Sequence, residues 1–196
     1  MTDYLWQIGL AYLIGAIPFG FIIGKVFYRV DLRTRGSGNI GATNAYRELG
    51  TAAGLATFAL DFLKGFMAVQ LGMPEPMAVL ACALAAVIGN DWSVFLGFKS
   101  GKGVACSVGA FTFISPWATL SAFAVWLLLL GWKKIVSLAS IAAAPVVPLV
   151  LFISGAPLEY AAFAAFAAFL VIGKHRDNIS RLLRGEEKPI SRGGKR

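Results

Sequence analysis

Residues 36–47 read Gly-Ser-Gly-Asn-Ile-Gly-Ala-Thr-Asn-Ala-Tyr-Arg: three glycines, four small polar side chains and a terminal arginine within twelve residues. Glycines let backbone N–H groups approach an anion with no Cβ in the way, and Ser, Thr and Asn add donors of their own. Arg47 closes the run with a planar fork that can grip a phosphate through two hydrogen bonds. An isolated Gly-Ser-Gly would read as a reverse turn; the density of donors and the closing arginine make this stretch a phosphate cradle. A second polar stretch, Phe-Lys-Ser-Gly-Lys-Gly at 98–103, sets the Lys102 ammonium between two positions free to bend around a ligand. An apolar run starts immediately after it, and the first amides of a helix there favour an anion. It is no Walker loop, because neither the spacing before Lys102 nor the residue after it fits Gly-x-x-x-x-Gly-Lys-Ser/Thr. A third patch, Val-Ser-Leu-Ala-Ser at 136–140, follows Lys133 and Lys134, and a fourth, His-Arg-Asp-Asn-Ile-Ser-Arg at 175–181, puts His175 and Asn178 on one helical face.

The elements that must position these patches are membrane helices. Of 196 residues, 58% are hydrophobic and only 14% charged, more apolar side chain than a soluble globule of this size buries. Apolar runs of roughly 17–25 residues mark helical spans, which places spans at 4–24, 52–73, 76–96, 135–154 and 159–173. The uncharged run 103–132 is expected to cross twice, turning at Ser115-Pro116, because proline disfavours a helical residue before it. Two passes also return Lys133 and Lys134 to the side that holds Lys102. Segment 4–24 lacks a basic start and follows Asp3, so it reads as a retained span and not a signal peptide. The expectation is an all-α, single-domain integral membrane bundle over 1–196. It has seven transmembrane helices, the N-terminus outside, and the active-site loops and C-terminus in the cytoplasm, with 185–196 a basic tail.

Charge orients that bundle. Of the 18 Lys and Arg, five fall at 25–47, two at 99–102, two at 133–134 and eight at 174–196, leaving only Lys64 inside a span. The outside loops hold Asp3, Glu75 and Glu159 and no basic residue, as the positive-inside rule requires. All four polar patches then share the cytoplasmic face. The net charge of +8 is this bias together with attraction for anionic lipid headgroups, and it calls for no nucleic acid. Asp61 and Lys64, three residues apart, read as an ion pair inside the bundle. Asn90-Asp91 is similar, with Asp91 close enough to the interface to be solvated. Cys82 and Cys106 fall at different depths and read as small packing residues without a disulfide.

In chain order, residues 36–47, Gly101-Lys-Gly-Val-Ala105, Val136-Ser-Leu-Ala-Ser140 and His175-Arg-Asp-Asn-Ile-Ser-Arg-Leu-Leu183 resemble the successive motifs of the bacterial acyl-phosphate-dependent glycerol-3-phosphate acyltransferases. The resemblance covers nearly the whole chain. It implies transfer of a fatty acyl group from acyl phosphate to the 1-hydroxyl of glycerol 3-phosphate in the bacterial inner membrane, giving lysophosphatidate and phosphate. It implies no metal, no cofactor and no obligate protein partner. By the same resemblance Ser37, Arg47, Lys102 and Ser140 hold the glycerol phosphate, while Asn39, Thr43, Gly38, Gly41, Gly101 and Gly103 cradle the donor's phosphate end. His175 and Asn178 complete the site, and Thr43, Lys102, His175 and Asn178 form its catalytic set. The chain departs from the family pattern at Asn90 (usually His), Ser93 (usually Pro), Ser100 (usually Gly) and Cys106 (usually Thr), all at the edge of the second motif.

An acyl phosphate carries its own good leaving group, so orientation and fixed donors for two phosphates are the main needs. His175 is the sole histidine, and Ser180 stands where the H-x4-D pattern of thioester-using acyltransferases has Asp, so that family does not fit. A phosphate monoester has its second pKa near ~6, so the donor phosphate can take the hydroxyl proton, with His175 as orienting group or alternative base. No covalent acyl-enzyme is expected, since one histidine could activate at most one of Ser37, Ser140 and Cys106. A transporter of a phosphorylated metabolite is the rival reading; it would call for paired discontinuous spans in two repeated halves, which the sequence does not display. A silent scaffold held by headgroups would leave residues 36–47 unexplained.

Overall fold

The computed structural model describes residues 4–190, which among themselves form helices and no strands. Eleven α-helices follow in order: α1 Leu5–Ala16, α2 Phe19–Phe27, α3 Ala42–Leu49, α4 Thr51–Gln70, α5 Pro76–Asp91, α6 Val104–Ile114, α7 Pro116–Lys133, α8 Val136–Ala143, α9 Val146–Ile153, α10 Leu158–Lys174 and α11 Arg176–Leu183. Short 3-10 turns occur at Leu32–Thr34 and Val94–Leu96. Four segments are long and apolar enough to cross a membrane, Leu5–Phe27, Thr51–Gln70, Pro76–Leu96 and Val136–Ile153. A fifth is added if α10 and α11, which meet at 61°, count as one bent segment. These segments make the protein a multi-pass membrane protein. At 1.5 Å per residue the short apolar α6 extends only ~16 Å, about half a hydrocarbon core.

Prolines set the breaks. Ser115-Pro116 separates α6 from α7, as the sequence predicts, with Ser115 capping α7. The span expected at 4–24 is interrupted at Ile17-Pro18, because Pro18 lacks an N–H and pushes Ile17 out of the helical region. That break leaves the Ala16 and Ile17 carbonyls without helical partners. Ser93 Oγ donates to the Ala16 carbonyl at 2.6 Å, and Lys64 Nζ donates to the Ile17 carbonyl at 2.9 Å. Lys64 is paired in turn with Asp61 at 2.8 Å, the expected internal ion pair. The break thus explains both a lysine at depth and a serine in place of proline at 93. Pro145 marks a milder break in the span expected at 135–154, between α8 and α9: Ala144 and Pro145 both keep right-handed helical angles there.

Small residues let the helices close on one another, which matters where lipid removes the hydrophobic drive for association. A Cβ on Gly15 would stand 2.1 Å from the Ala86 carbonyl oxygen, and one on Gly65 2.1 Å from that of Cys106. These near contacts press α1 on α5 and α4 on α6. Cys82 and Cys106 are free and buried, in one cluster with Ala11, Ala68 and Ala86. Asp91 is fully buried and not solvated as expected, because the chain after α5 folds back over the helix end and Gly101 N donates to the Asn90 carbonyl at 2.9 Å.

Candidate active site

Residues 28–41 carry the first polar loop from α2 to α3. Asp31 anchors the approach, accepting from Arg33 at 2.8 Å with Lys25 at 3.3 Å. The hydrogen bond from Arg33 is the main reason its carboxyl lies well below the usual carboxylate range. The buried Asn44, in the first turn of α3, then organises the loop from within. Its Oδ1 accepts from Ser37 N at 3.0 Å, and its Nδ2 faces the carbonyls of Leu32, Arg35 and Asn39 at 3.3, 3.1 and 2.7 Å. Gly36 has φ +55°, and a Cβ there would sit 2.3 Å from Asn44 Oδ1, so both backbone and space demand glycine. Asn39 turns the chain, its Oδ1 accepting from Gly41 N at 2.8 Å, and its Nδ2 reaches the Ser100 carbonyl at 3.4 Å. The first and second polar stretches therefore meet.

Gly103, at φ +69°, caps α6 and turns the second stretch so that Lys102 Nζ donates to Asn178 Oδ1 of α11. Asn178 Nδ2 donates to Glu187 Oε1 at 2.6 Å, and the Glu187 carboxylate also accepts from Ser137 Oγ at 2.7 Å and Arg181 Nε at 2.6 Å. Arg47 Nη2 donates to the carbonyls of Lys188 and Pro189 at 3.0 and 3.2 Å, and Ile190 N to that of Lys134 at 2.5 Å. Residues 185–190, expected as part of a basic tail, are thus a strap across α3, α8, α11 and the α7–α8 turn; residues 191–196 lie outside the described residues. Glu187 was not among the expected site residues, although a Glu-Glu pair inside an otherwise basic segment is a visible signal in the sequence.

Charge in the site follows burial. Desolvation, and then the neighbouring Arg181, hold the Lys102 ammonium below its ordinary pKa, so an anion entering beside them would relieve both effects. Burial alone would raise Glu187, but hydrogen bonds from Ser137, Arg181 and Asn178 outweigh it and keep the carboxyl below the ordinary glutamate value. His175 is buried with Nδ1 2.7 Å from the Val171 carbonyl, and desolvation pushes its pKa down to about 4. The ring is neutral at pH 7, its Nδ1–H is committed to that carbonyl, and Nε2 is left as an acceptor.

Between the first, second and fourth polar stretches lies an open cavity of about 460 Å³. Of the expected site residues, Ser37, Gly38, Asn39, Gly101 and Lys102 line it. Gly41, Thr43 and Gly103 stand at the starts of α3 and α6, outside the lining, and Asn178 reaches the cavity through Lys102. Arg47 is on the strap, with only Nη2 engaged by its carbonyls, and Ser140 is buried in α8, where its hydroxyl accepts from Trp126 Nε1 at 3.1 Å. Lys174, Arg176, Asp177 and Arg181 complete the polar wall and Trp92, Phe169 and Leu170 the apolar one; Arg176, Asp177 and Arg181 belong to the fourth polar patch, whereas Lys174, Trp92, Phe169 and Leu170 had no expected part in the site. Among the described residues no group of three or more His, Cys, Asp or Glu could hold a metal. Cations on one wall and an apolar edge on the other suit an amphiphile with an anionic head.

The chain is similar to known proteins in sequence and in backbone. Residues 5–185 match the model of the glycerol-3-phosphate acyltransferase family. Glycerol-3-phosphate acyltransferase 2 of Moorella thermoacetica is 44% identical over 190 residues, covering 95% of this chain and 98% of its own length. Glycerol-3-phosphate acyltransferase of Aquifex aeolicus is 44% identical over 187 residues, covering 93% and 97%. The crystal structure of PlsY (YgiH), an integral membrane glycerol 3-phosphate acyltransferase, in its glycerol 3-phosphate form has a TM-score of 0.92 at 42% identity over 96% of both chains. Its lysophosphatidic acid form gives 0.88 at 41% over 95% of both. With family model, full-length relatives and backbone in agreement, this chain belongs to the glycerol-3-phosphate acyltransferase family.

Proposed function

We propose that the protein transfers a fatty acyl group from acyl phosphate to the 1-hydroxyl of glycerol 3-phosphate, releasing phosphate and lysophosphatidate. The observation that carries this reading is the meeting of the polar stretches around one cavity with several cations and an apolar edge, in a chain of this family. The hydroxyl oxygen attacks the acyl carbon, a new ester C–O bond forms, and the bond from that carbon to the phosphate oxygen breaks. The proton passes to the departing phosphate. With its second pKa near ~6, that phosphate is a better-matched base at neutral pH than an imidazole held near 4. Lys102, kept in place by Asn178, neutralises phosphate charge, and the backbone of residues 37–39 and 101 surrounds the bound anion. Arg47 keeps Nε and Nη1 for the glycerol 3-phosphate phosphate while Nη2 holds the strap.

The proposed setting is the bacterial inner membrane, with seven crossings, the N-terminus outside and the cavity on the cytoplasmic side. The breaks at Ser115-Pro116 and the basic turns at Lys102 and Lys133 support that count. Purified protein in detergent, given palmitoyl phosphate and glycerol 3-phosphate, should release inorganic phosphate. A transporter would show nothing without a sealed compartment, so absence of release would refute the enzyme reading. Single cysteines at Arg35 and Lys188 should be labelled from the cytoplasm and one at Glu75 from outside; labelling of 35 and 188 from opposite sides would remove the topology.

A further inference from the structure

Lys174 ends α10 and lines the cavity, yet no motif reading gave it a task. Its Nζ donates to the Asp91 carbonyl at 2.7 Å and lies 4.6 Å from the centroid of the Trp92 ring. One of three ammonium donors is used by a neutral acceptor, and the ring face restrains the rest. Among the described residues no carboxylate lies within 4.0 Å of this ammonium. Its neighbours differ: Arg181 is matched by Glu187 at 2.6 Å, and Arg176 stands 3.8 Å from Asp177 on an exposed surface. Lys174 is therefore a positioned cation in no direct ion pair; the buried Asp91 carboxylate acts on it only through space, from beyond salt-bridge distance.

The reaction supplies more negative charge than Arg47 and Lys102 meet, and Arg176 and Arg181 of the fourth motif each already stand beside a carboxylate. Two phosphate-bearing substrates bring about three to four negative charges at pH 7, against Arg47 and Lys102 in the expected binding set. Lys174 also stands about one helical turn beyond Phe169 and Leu170, where the cavity wall turns apolar. Glycerol 3-phosphate has no chain to lay on that wall, whereas an acyl phosphate does. We infer that Lys174 is the anchor for the phosphate of the acyl donor, held ready by the Asp91 carbonyl and the Trp92 ring, with the acyl chain leaving along Phe169 and Leu170. This rests on the acyl-phosphate reaction proposed above.

The test is steady-state kinetics of the purified full chain, varying palmitoyl phosphate and glycerol 3-phosphate separately. Lys174→Met should raise the KM for palmitoyl phosphate by about 10- to 100-fold, the worth of a charged hydrogen bond, and leave the KM for glycerol 3-phosphate nearly unchanged. Inhibition by inorganic phosphate, competitive against the donor, should weaken in parallel, and Lys174→Arg should recover most of both. Should Lys174→Met fail to fold, Lys174→Gln keeps a donor for the Asp91 carbonyl without the charge and carries the same test. An unmoved donor KM, or equal rises in both KM values, overturns the inference. An inactive wild type would overturn the acyl-phosphate reading itself and the inference with it.

Discussion

Replacing Glu187 by glutamine keeps the shape of the strap's central side chain and removes its charge. The carboxylate is 7% exposed, with Oε1 accepting from Ser137 and Asn178 and Oε2 from Arg181. A glutamine can turn its oxygen toward the first pair, but its NH₂ then faces the Arg181 Nε–H, donor against donor. Loss of a hydrogen bond between charged groups costs ~1.5–3 kcal/mol. Because the Arg181 side chain is 37% exposed, water recovers part of this, and we expect about 1.5–2 kcal/mol. At 2–4 °C per kcal/mol for a chain of this size, Tm should fall by about 3–8 °C. Glu187→Ala should fall further, since Asn178 Nδ2 and the Ser137 hydroxyl also lose their acceptor, and kcat/KM should drop as Asn178 ceases to orient Lys102. The sign with pH is fixed: the folded-state pKa is depressed, so the contribution is complete above the unfolded value of about 4.3 and is lost as pH falls through the folded one. Thermal unfolding in detergent at pH 7 and at more acid pH, with acyl-transfer rates alongside, measures all of this. A Glu187→Ala protein that melts and turns over like the wild type would refute the strap as part of the active fold.

Lys102→Ala should lower kcat/KM by at least about tenfold with little loss of Tm; a near-normal rate would remove Lys102 from the phosphate site. Arg47→Lys, which cannot hold the Lys188 and Pro189 carbonyls and a phosphate at once, should raise the KM for glycerol 3-phosphate and lower Tm together; a fall in Tm alone would leave Arg47 a strap residue only. Incubation with radiolabelled acyl phosphate in the absence of acceptor should leave no label on the denatured protein, and Cys106→Ala should remain active. Stoichiometric label that glycerol 3-phosphate chases would instead establish a two-step route. His175, buried neutral with its pKa lowered from 6.5 to about 4, makes wild-type stability fall as pH drops through that window, because the unfolded chain takes the proton first. His175→Gln should flatten the Tm profile there, and a wild-type Tm constant from pH 7 to 4 would contradict the assignment.

What could be read before folding was whatever depends on local composition. The anion-binding character of 36–47 and 98–103, the helical nature of the apolar runs, the turn at Ser115-Pro116 and the Asp61–Lys64 pair all follow from neighbours within a few residues. The break at Pro18 was equally legible, but hydropathy averages across it, since one proline scarcely alters the mean of a long apolar window. Asn44 was visible as a polar residue, yet its work lies in carbonyls five to twelve residues back along the loop. Glu187 and Lys174 were hidden more deeply. Each looks like an ordinary charge near a membrane surface, and their meaning comes from Ser137, 50 residues away, and from Asp91, 83 residues away. Positive-inside counting absorbs such residues into a statistic and so passes over the ones that have partners.

The strap also sets an order of events in biogenesis. Residues 185–190 are synthesised after every apolar helix, and Arg47 meets its carbonyl acceptor only 141 residues later. The helices can therefore be threaded into the bilayer while the ends of α3, α8 and α11 are still unlinked. A chain cut before Glu187 is expected to insert its helices yet lose acyl transfer, and a truncated protein that turns over like the full chain would contradict this. Synthesis of residues 185–190 is thus the step after which the ends of α3, α8 and α11 can be tied together.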